Sequence, residues 1–219
     1  MHERVQVIGR GRVGSALAAR LEQRGLTVTD RDADLVILCV PDAAIRTVVE
    51  AIAIGPWIAH VSGATPLAAL NPHLNRFGVH PLQTFTRRRG PEQFDGAWGA
   101  ISGDGADGVA RARWLAETLG LQPIVIADRD RGSYHAGASI ASNYLVTLYR
   151  AAARLVESAG VPAQALVPLM QATIDNGFEL TGPIARGDAT TIDAHLAAIN
   201  RVAPDLAPMY EALAAITKP

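Results

Sequence analysis

Two groups of residues in this chain have types and spacing suited to chemistry. The first is Gly9-Arg10-Gly11-Arg12-Val13-Gly14, which follows the strand-like residues 5–8 and precedes the helix-spaced Ala16, Leu17 and Leu21. Gly9 permits a tight turn, Gly11 lets backbone approach an anion, and Gly14 lets the helix sit close to the strand. A helix N-terminus there offers free N–H groups and partial positive charge, so the segment reads as a diphosphate cradle for a dinucleotide. The second group is histidine-centred. His60 lies just before Ser62-Gly63, and His80 just before Pro81. Both fall at strand ends, where sheets of this kind bind ligands. His135 opens a long helical pattern with Ser139, Ser142 and Asn143 on its side, a neutral polar stripe that fits a cleft wall. An imidazole there can deliver a proton to a carbonyl or imine being reduced.

Composition narrows the alternatives. All basic residues except Lys218 are arginine, so a catalytic lysine is nearly excluded. Net charge is −1, giving no broad pull toward nucleic acid or membrane. A single cysteine, Cys39, sits in an apolar run and allows no intrachain disulfide; it reads as core. No metal-ligand spacing stands out. No apolar run approaches the ~18 residues of a membrane helix, and the N-terminal residues do not read as a signal peptide, so the expected location is cytoplasmic. Arg87-Arg88-Arg89 reads either as a clamp for a carboxylate or phosphate or as an exposed loop. Arg186 reads as an anion ligand or a loop brace, and Asp188 as a helix N-cap.

The elements that must position these groups are legible as alternating patterns. Strands are expected at residues 5–9, 35–40, 57–61, 78–80 with a break at Pro81, 99–102 and 123–126. Helices are expected at 14–24, 42–52 and 107–119. After about residue 128 the pattern is helical throughout: one long helix over 133–159 ended by Gly160, then 163–175, 190–201 and 205–216. This predicts an α/β, mainly parallel sheet domain over 1–127 followed by an all-α domain over 128–219.

One interval is anomalous. Residues 26–29 read as the second strand, with Asp30 and Arg31 placed to meet a ribose hydroxyl or a 2′-phosphate. The next strand begins by Leu35. A parallel crossover normally takes a dozen or more residues, whereas the five here span about 18 Å at ~3.3–3.6 Å each. Either the second strand is vestigial or the usual second and third strands are largely gone. Both alternatives trim the adenosine edge.

The motifs together resemble a known family. Besides the glycine turn, they are Val40-Pro41-Asp42, His60-Val61-Ser62-Gly63, His80-Pro81-Leu82-Gln83-Thr84-Phe85, Tyr134-His135, Ser142-Asn143-Tyr144-Leu145, and residues 180–188 with His195. The chain resembles bacterial Rossmann-like proteins with a C-terminal helical domain of unknown function (the 2520 type), relatives of 6-phosphogluconate and β-hydroxyacid dehydrogenases. The resemblance implies a cofactor on the glycine turn, a cleft between domains and a homodimer through the helical domain. It supplies no substrate. Those dehydrogenases use a lysine on the long helix; here Ser139 stands near that place.

The expectation is therefore an NAD(P)-linked oxidoreductase reducing a small carbonyl or imine. Gly9, Arg10, Gly11, Arg12, Val13, Gly14, Asp30, Arg31, Val40, Pro41, Ser62 and Gly63 would meet NADP or NAD. His135, with Asn143 and Ser139, would serve catalysis, and His80 and Arg186 would meet substrate. Asp30 favours NAD and Arg31 favours NADP. The alternative is a non-enzymatic dimeric binding protein with a degenerate nucleotide site; a third reading is another redox cofactor such as a deazaflavin.

Overall fold

The computed structural model describes residues 3–217; Lys218 lies outside the described residues. The chain divides into two compact units, the first ending at Ser139 and the second beginning at Ile140. The change of sequence pattern placed the boundary at 127/128. The difference arises because the first turns of the helical region are anchored to the sheet by a buried arginine, Arg131.

The first unit is a seven-stranded sheet of order β2-β1-β3-β4-β5-β6-β7. Its strands are β1 (Arg4–Ile8), β2 (Thr27–Val28), β3 (Leu35–Leu38), β4 (Trp57–His60), β5 (Arg76–Leu82), β6 (Trp98–Gly103) and β7 (Gln122–Val125). All neighbours are parallel except β5 and β6, whose antiparallel register pairs His80 with Ala100. The continuous apolar run of β3 is buried at every position, as a strand covered on both faces requires. Leu35 and Ile37 pack toward α1 (Arg12–Gln23) and α3 (Gly105–Leu119). Val36 and Leu38 pack toward α2 (Ile45–Glu50) and the turn Leu67–Leu70.

The expected break at Pro81 does not occur. β5 continues through it to Leu82, pairing Pro81 with Gly99. β4 pairs with β5 only as far as Gly78, so beyond that residue one edge of β5 is free and can accommodate a residue without an N–H.

The short second connection is resolved by shrinking the strand. β2 has two residues, paired with Arg4 and Val5 of β1, so the chain has little length to return before β3 begins beside Val5. The usual crossover helix is absent. A cavity of about 620 Å³ remains over that face, between residues 32–33 and α2, with Gln6, Ile8 and Val36 on its floor.

The helical region starts with α4 (Arg131–Ser139), the last element of the first unit. The single helix expected over 133–159 is instead interrupted: the second unit opens with a π-helical turn, Ile140–Tyr144, followed by α5 (Leu145–Ser158). Then come α6 (Leu166–Asp175), α7 (Ala189–Val202) and α8 (Ala207–Ile216). Asp188 caps α7, its carboxylate accepting from the Thr191 N–H at 3.1 Å. Arg154 of α5 makes a paired contact with Asp205 at 2.7 and 2.8 Å. Among the described residues no helix is long and apolar enough to cross a membrane.

Candidate active site

The glycine turn is built tightly into the fold at two of its three glycines. Gly9 has φ +96°, and a Cβ there would stand 2.5 Å from the Cys39 carbonyl oxygen. A Cβ on Gly14 would overlap the Gly9 carbonyl. Gly11 differs. It is the N-cap of α1 at φ −73°, and no atom lies within 4 Å of where its Cβ would be. Nothing in the fold requires glycine at that position, and the absence of a side chain leaves the helix end open to close approach by an anion. The first turn of α1 carries no acidic residue and no side-chain cap, so its free N–H groups remain available to an anion. Cys39 and Val40 wall the turn from β3, and burial pushes the Cys39 thiol up to about 12.

Asp30 and Arg31 are tied lower on the sheet. Their carbonyls accept from Gln6 Nε2 at 3.4 Å and from Arg4 Nη2 at 2.8 Å. β2 stops beside Val5, short of the end of β1, so these residues follow a strand that does not reach the level of the glycine turn.

The histidines converge at the C-terminal ends of β4 and β5. His80 Nδ1 lies 2.7 Å from the Tyr134 hydroxyl, and its ring meets that of His135 edge-on, centroids 5.8 Å apart. Both rings close over Gly63: a Cβ there would stand 2.5 Å from His135 Cδ2 and 3.0 Å from His80 Nε2. Burial, then the neighbouring His135 and Arg131, pushes His80 down to about 4, so it is neutral near pH 7. Burial raises Tyr134 to about 12, so the phenol keeps its proton. The arrangement these two states favour has Tyr134 donating to Nδ1 and the imidazole proton on Nε2. His60 is fully buried, neither ring nitrogen has a partner among the described residues, and burial pushes it down to about 3.

Arg131, which the sequence patterns did not single out, organises this cluster. It is 1% exposed. Its guanidinium donates to Asp128 at 2.8 Å, to the Ser62 carbonyl at 3.1 Å and to the Ser102 hydroxyl. Asp128 in turn accepts from the Leu67 N–H at 3.0 Å. Gly78 makes room: a Cβ there would stand 2.6 Å from Arg131 Nη2. Tyr134 and His135 lie three and four residues on, on the same face of α4, so the anchor aims both rings. Ser62 serves the scaffold, its hydroxyl accepting from the Thr65 N–H at 2.9 Å and donating to the Thr65 hydroxyl at 2.8 Å.

The structure thus brings together Gly63, His80 and His135, and adds Tyr134 to them. Ser139 ends α4, one turn beyond His135 and half-buried. Asn143 and Arg186 are exposed residues of the second unit, Asn143 in its π-helical turn and Arg186 in the segment before α7. Among the described residues no cluster of three or more His, Cys, Asp or Glu side chains suits a metal ion.

A mainly parallel sheet with a glycine turn after its first strand, followed by a helical unit, defines a Rossmann-like protein with a helical C-terminal part. Residues 98–217 match the family described as Domain of unknown function (DUF2520), and the chain belongs to that family. No curated protein matches the chain. Several solved structures share its fold. A candidate NADP oxidoreductase from Bacteroides fragilis is 22% identical with a TM-score of 0.82, over 98% of this chain and 97% of that one. A reductive aminase from Aspergillus terreus, in complex with NADPH and ethyl levulinate, is 19% identical with a TM-score of 0.69, over 96% and 92%. A 1-pyrroline-5-carboxylate reductase from Streptococcus pyogenes is 17% identical with a TM-score of 0.63, over 98% and 96%.

Two outcomes follow from this geometry. Arg131→Met leaves the Ser62 carbonyl and the Ser102 hydroxyl without their partner and should cost about 1–3 kcal/mol in denaturant unfolding; a loss below about 0.5 kcal/mol would contradict the anchor. Stability should also depend on pH through the buried histidines. Their folded values lie below the ordinary 6.5, so the unfolded chain takes up protons first as pH falls. The stability they contribute is complete above about pH 6.5 and is lost as pH drops toward 4 and then 3. The thermal midpoint should decline from pH 6.5 to 5, and His60→Leu should flatten that limb; an unchanged slope would remove His60 from the account.

Proposed function

We propose that the protein is an NAD(P)-linked oxidoreductase that reduces a small carbonyl or imine compound. The observation that carries this reading is Gly11. It is a glycine the fold does not need, standing open at an uncapped helix N-terminus between two glycines the fold does need. The fold shared with a reductive aminase in complex with NADPH and with 1-pyrroline-5-carboxylate reductase supports it.

The glycine turn would hold the diphosphate on the N–H groups of residues 11–14, with Arg10 and Arg12 beside it and Val40 and Pro41 along the edge. A bound reduced nicotinamide supplies a hydride, and this chain's own task is to exclude water and deliver a proton. Gly63 leaves the space under the two imidazoles. His80 is held neutral and fixed by Tyr134, so it orients rather than stores a proton. His135, half-buried and within the same cluster, is the group that donates. Ser139 lies one helical turn away on the same face, and Asn143 and Arg186 remain proposed substrate contacts. Asp30 and Arg31 leave the choice between NADP and NAD to measurement. Cys39, its thiol held protonated by burial, suits a reducing cytoplasm.

Calorimetric titration with NADPH and then NADH tests the reading. Micromolar binding is expected for one of them, and Gly11→Ala should keep the fold while weakening binding about tenfold or more. Absence of binding at millimolar concentration would favour a non-enzymatic binding protein, a reading to which the trimmed β2 gives some support. With a turning-over substrate in hand, His135→Ala should lower kcat by about 10²–10⁴; a loss below tenfold would take His135 out of the role.

The helical unit supports a homodimer. Leu169 is 65% exposed and Phe178 72%, and α6 and α8 bury none of their side chains. Apolar surface on that scale marks an interaction face. Light scattering at micromolar concentration should give twice 23.1 kDa; a monomer throughout would overturn the proposal.

A further inference from the structure

The three consecutive arginines between β5 and β6 do not sit on a loose loop. Gln93 is 1% exposed and clamps the segment from inside. Its Oε1 accepts from the Thr86 N–H at 2.8 Å, and its Nε2 donates to the carbonyls of Arg89 and Gly90, both at 2.9 Å. The Phe85 and Phe94 rings pack at 4.8 Å beneath it. Arg20 of α1, itself buried, donates to Asp95 at 2.7 Å and to the Pro91 carbonyl at 2.6 Å, tying the segment to the helix. The backbone carrying Arg87 and Arg89 is therefore held in place alongside α1.

Between them lies a cavity of about 290 Å³ lined by Arg10, Arg12, Arg87, Arg89, Gly11 and Ser15 among others. No carboxylate is among its lining residues. The nearest acid, Glu92, is 3.9 Å from Arg89 and is already accepting from the Gly90 N–H. Four arginine residues line this one cavity, beside a helix end that is itself partially positive. Holding like charges together on rigid backbone is unfavourable unless an anion completes the site, and guanidinium forks match phosphate oxygens best. The cavity accommodates a phosphate-bearing portion of a ligand, not a whole dinucleotide.

We propose that this groove is a phosphate site whose occupant is the diphosphate of the dinucleotide, with Arg87 and Arg89 completing from the β5–β6 segment the anion site begun by the glycine turn. The phosphate chemistry stands on the four arginines; the identity of its bearer rests on the reductase reading above. Arg87 and Arg89 are thus affinity determinants on a segment remote in sequence from the glycine motif.

The test is calorimetric titration of the full chain with inorganic pyrophosphate and with NADPH, or with NADH if that is the dinucleotide the wild type binds. Wild type is compared with Arg87→Ala/Arg89→Ala and with a control of equal charge, Arg46→Ala/Arg113→Ala. Both arginine pairs are exposed, and equal unfolding midpoints establish that the variants fold. The expected result is binding of both probes by wild type and by the control, with a loss of about tenfold or more on both in the groove variant. NADPH binding that is unchanged in the groove variant overturns the proposal and leaves the reductase reading standing. An equal loss in the control overturns it as a net-charge effect. Pyrophosphate binding that depends on Arg87 and Arg89, in a protein that binds neither NADPH nor NADH, supports the phosphate site, overturns its assignment to the dinucleotide and removes the reductase reading. Binding of neither pyrophosphate nor either dinucleotide by wild type overturns both.

Discussion

The candidate site depends on one buried guanidinium. Arg131 crosses from α4 to the sheet and is met there by a carboxylate, a backbone carbonyl and a hydroxyl, so its charge is partly balanced and its donors are used. An ion pair of this kind contributes little net stability relative to apolar residues packed in place of both partners, whereas removing one partner alone is costly. It contributes position. Once Arg131 is seated above Gly78, helical periodicity leaves no choice about Tyr134 and His135, which must face the ends of β4 and β5. The glycines at 63 and 78 are the complementary half of the arrangement, one clearing space for two imidazoles and the other for the guanidinium.

The same cation shapes the electrostatics. It stands close enough to His60 and His80 to add to the effect of burial, and both imidazoles are driven toward the neutral form. Two neutral imidazoles and the His135 ring beside a fixed positive charge suit chemistry in which a proton is handed to a substrate atom that is gaining electrons. They suit metal ligation less, since a cation in the same place would face Arg131 directly. The phenol of Tyr134, raised by burial, stays a donor and fixes the His80 tautomer, which leaves the imidazole proton on Nε2, the nitrogen that faces Gly63.

How much of this was legible in the sequence depended on whether the signal was local. The strands of the sheet announce themselves because parallel strands covered on both faces are continuous apolar runs, and β3 is such a run. The glycine turn is local by construction. The shortened β2 was legible as an arithmetic conflict between chain length and crossover distance, and the two-residue strand is its physical solution. Pro81 misled because its propensity argues for a break, whereas the free edge of β5 that tolerates it is a tertiary fact. Arg131 and Gln93 left no trace in hydropathy. Each is a polar side chain buried by virtue of partners far away in the sequence, Ser62 and Ser102 for the first. For the second, the bonds are to nearby backbone in a segment without periodicity. The place of Tyr134 beside His80, fifty-four residues apart, is likewise set by the sheet and not by spacing.

The trimmed β2 and the arginine-lined groove bear on each other. In a full-length doubly wound half, the second strand reaches the ligand edge and its terminal side chain fixes the adenosine ribose. Here β2 ends beside Val5, and the backbone of Asp30 and Arg31 is committed to Arg4 and Gln6. Binding energy forgone at the ribose must be recovered elsewhere if a dinucleotide is to be held at all. The helix N-terminus alone supplies a partial charge worth about 0.3–1 kcal/mol at an exposed site, too little to compensate. Charge-assisted contacts to a diphosphate are each worth about 1.5–3 kcal/mol, and the proposed site would draw two such contacts from Arg87 and Arg89, which line the groove from the β5–β6 segment. Under the proposed function, the short β2 at one edge and the arginines lining the groove beside α1 would be two sides of a single redistribution, from adenosine recognition toward phosphate recognition.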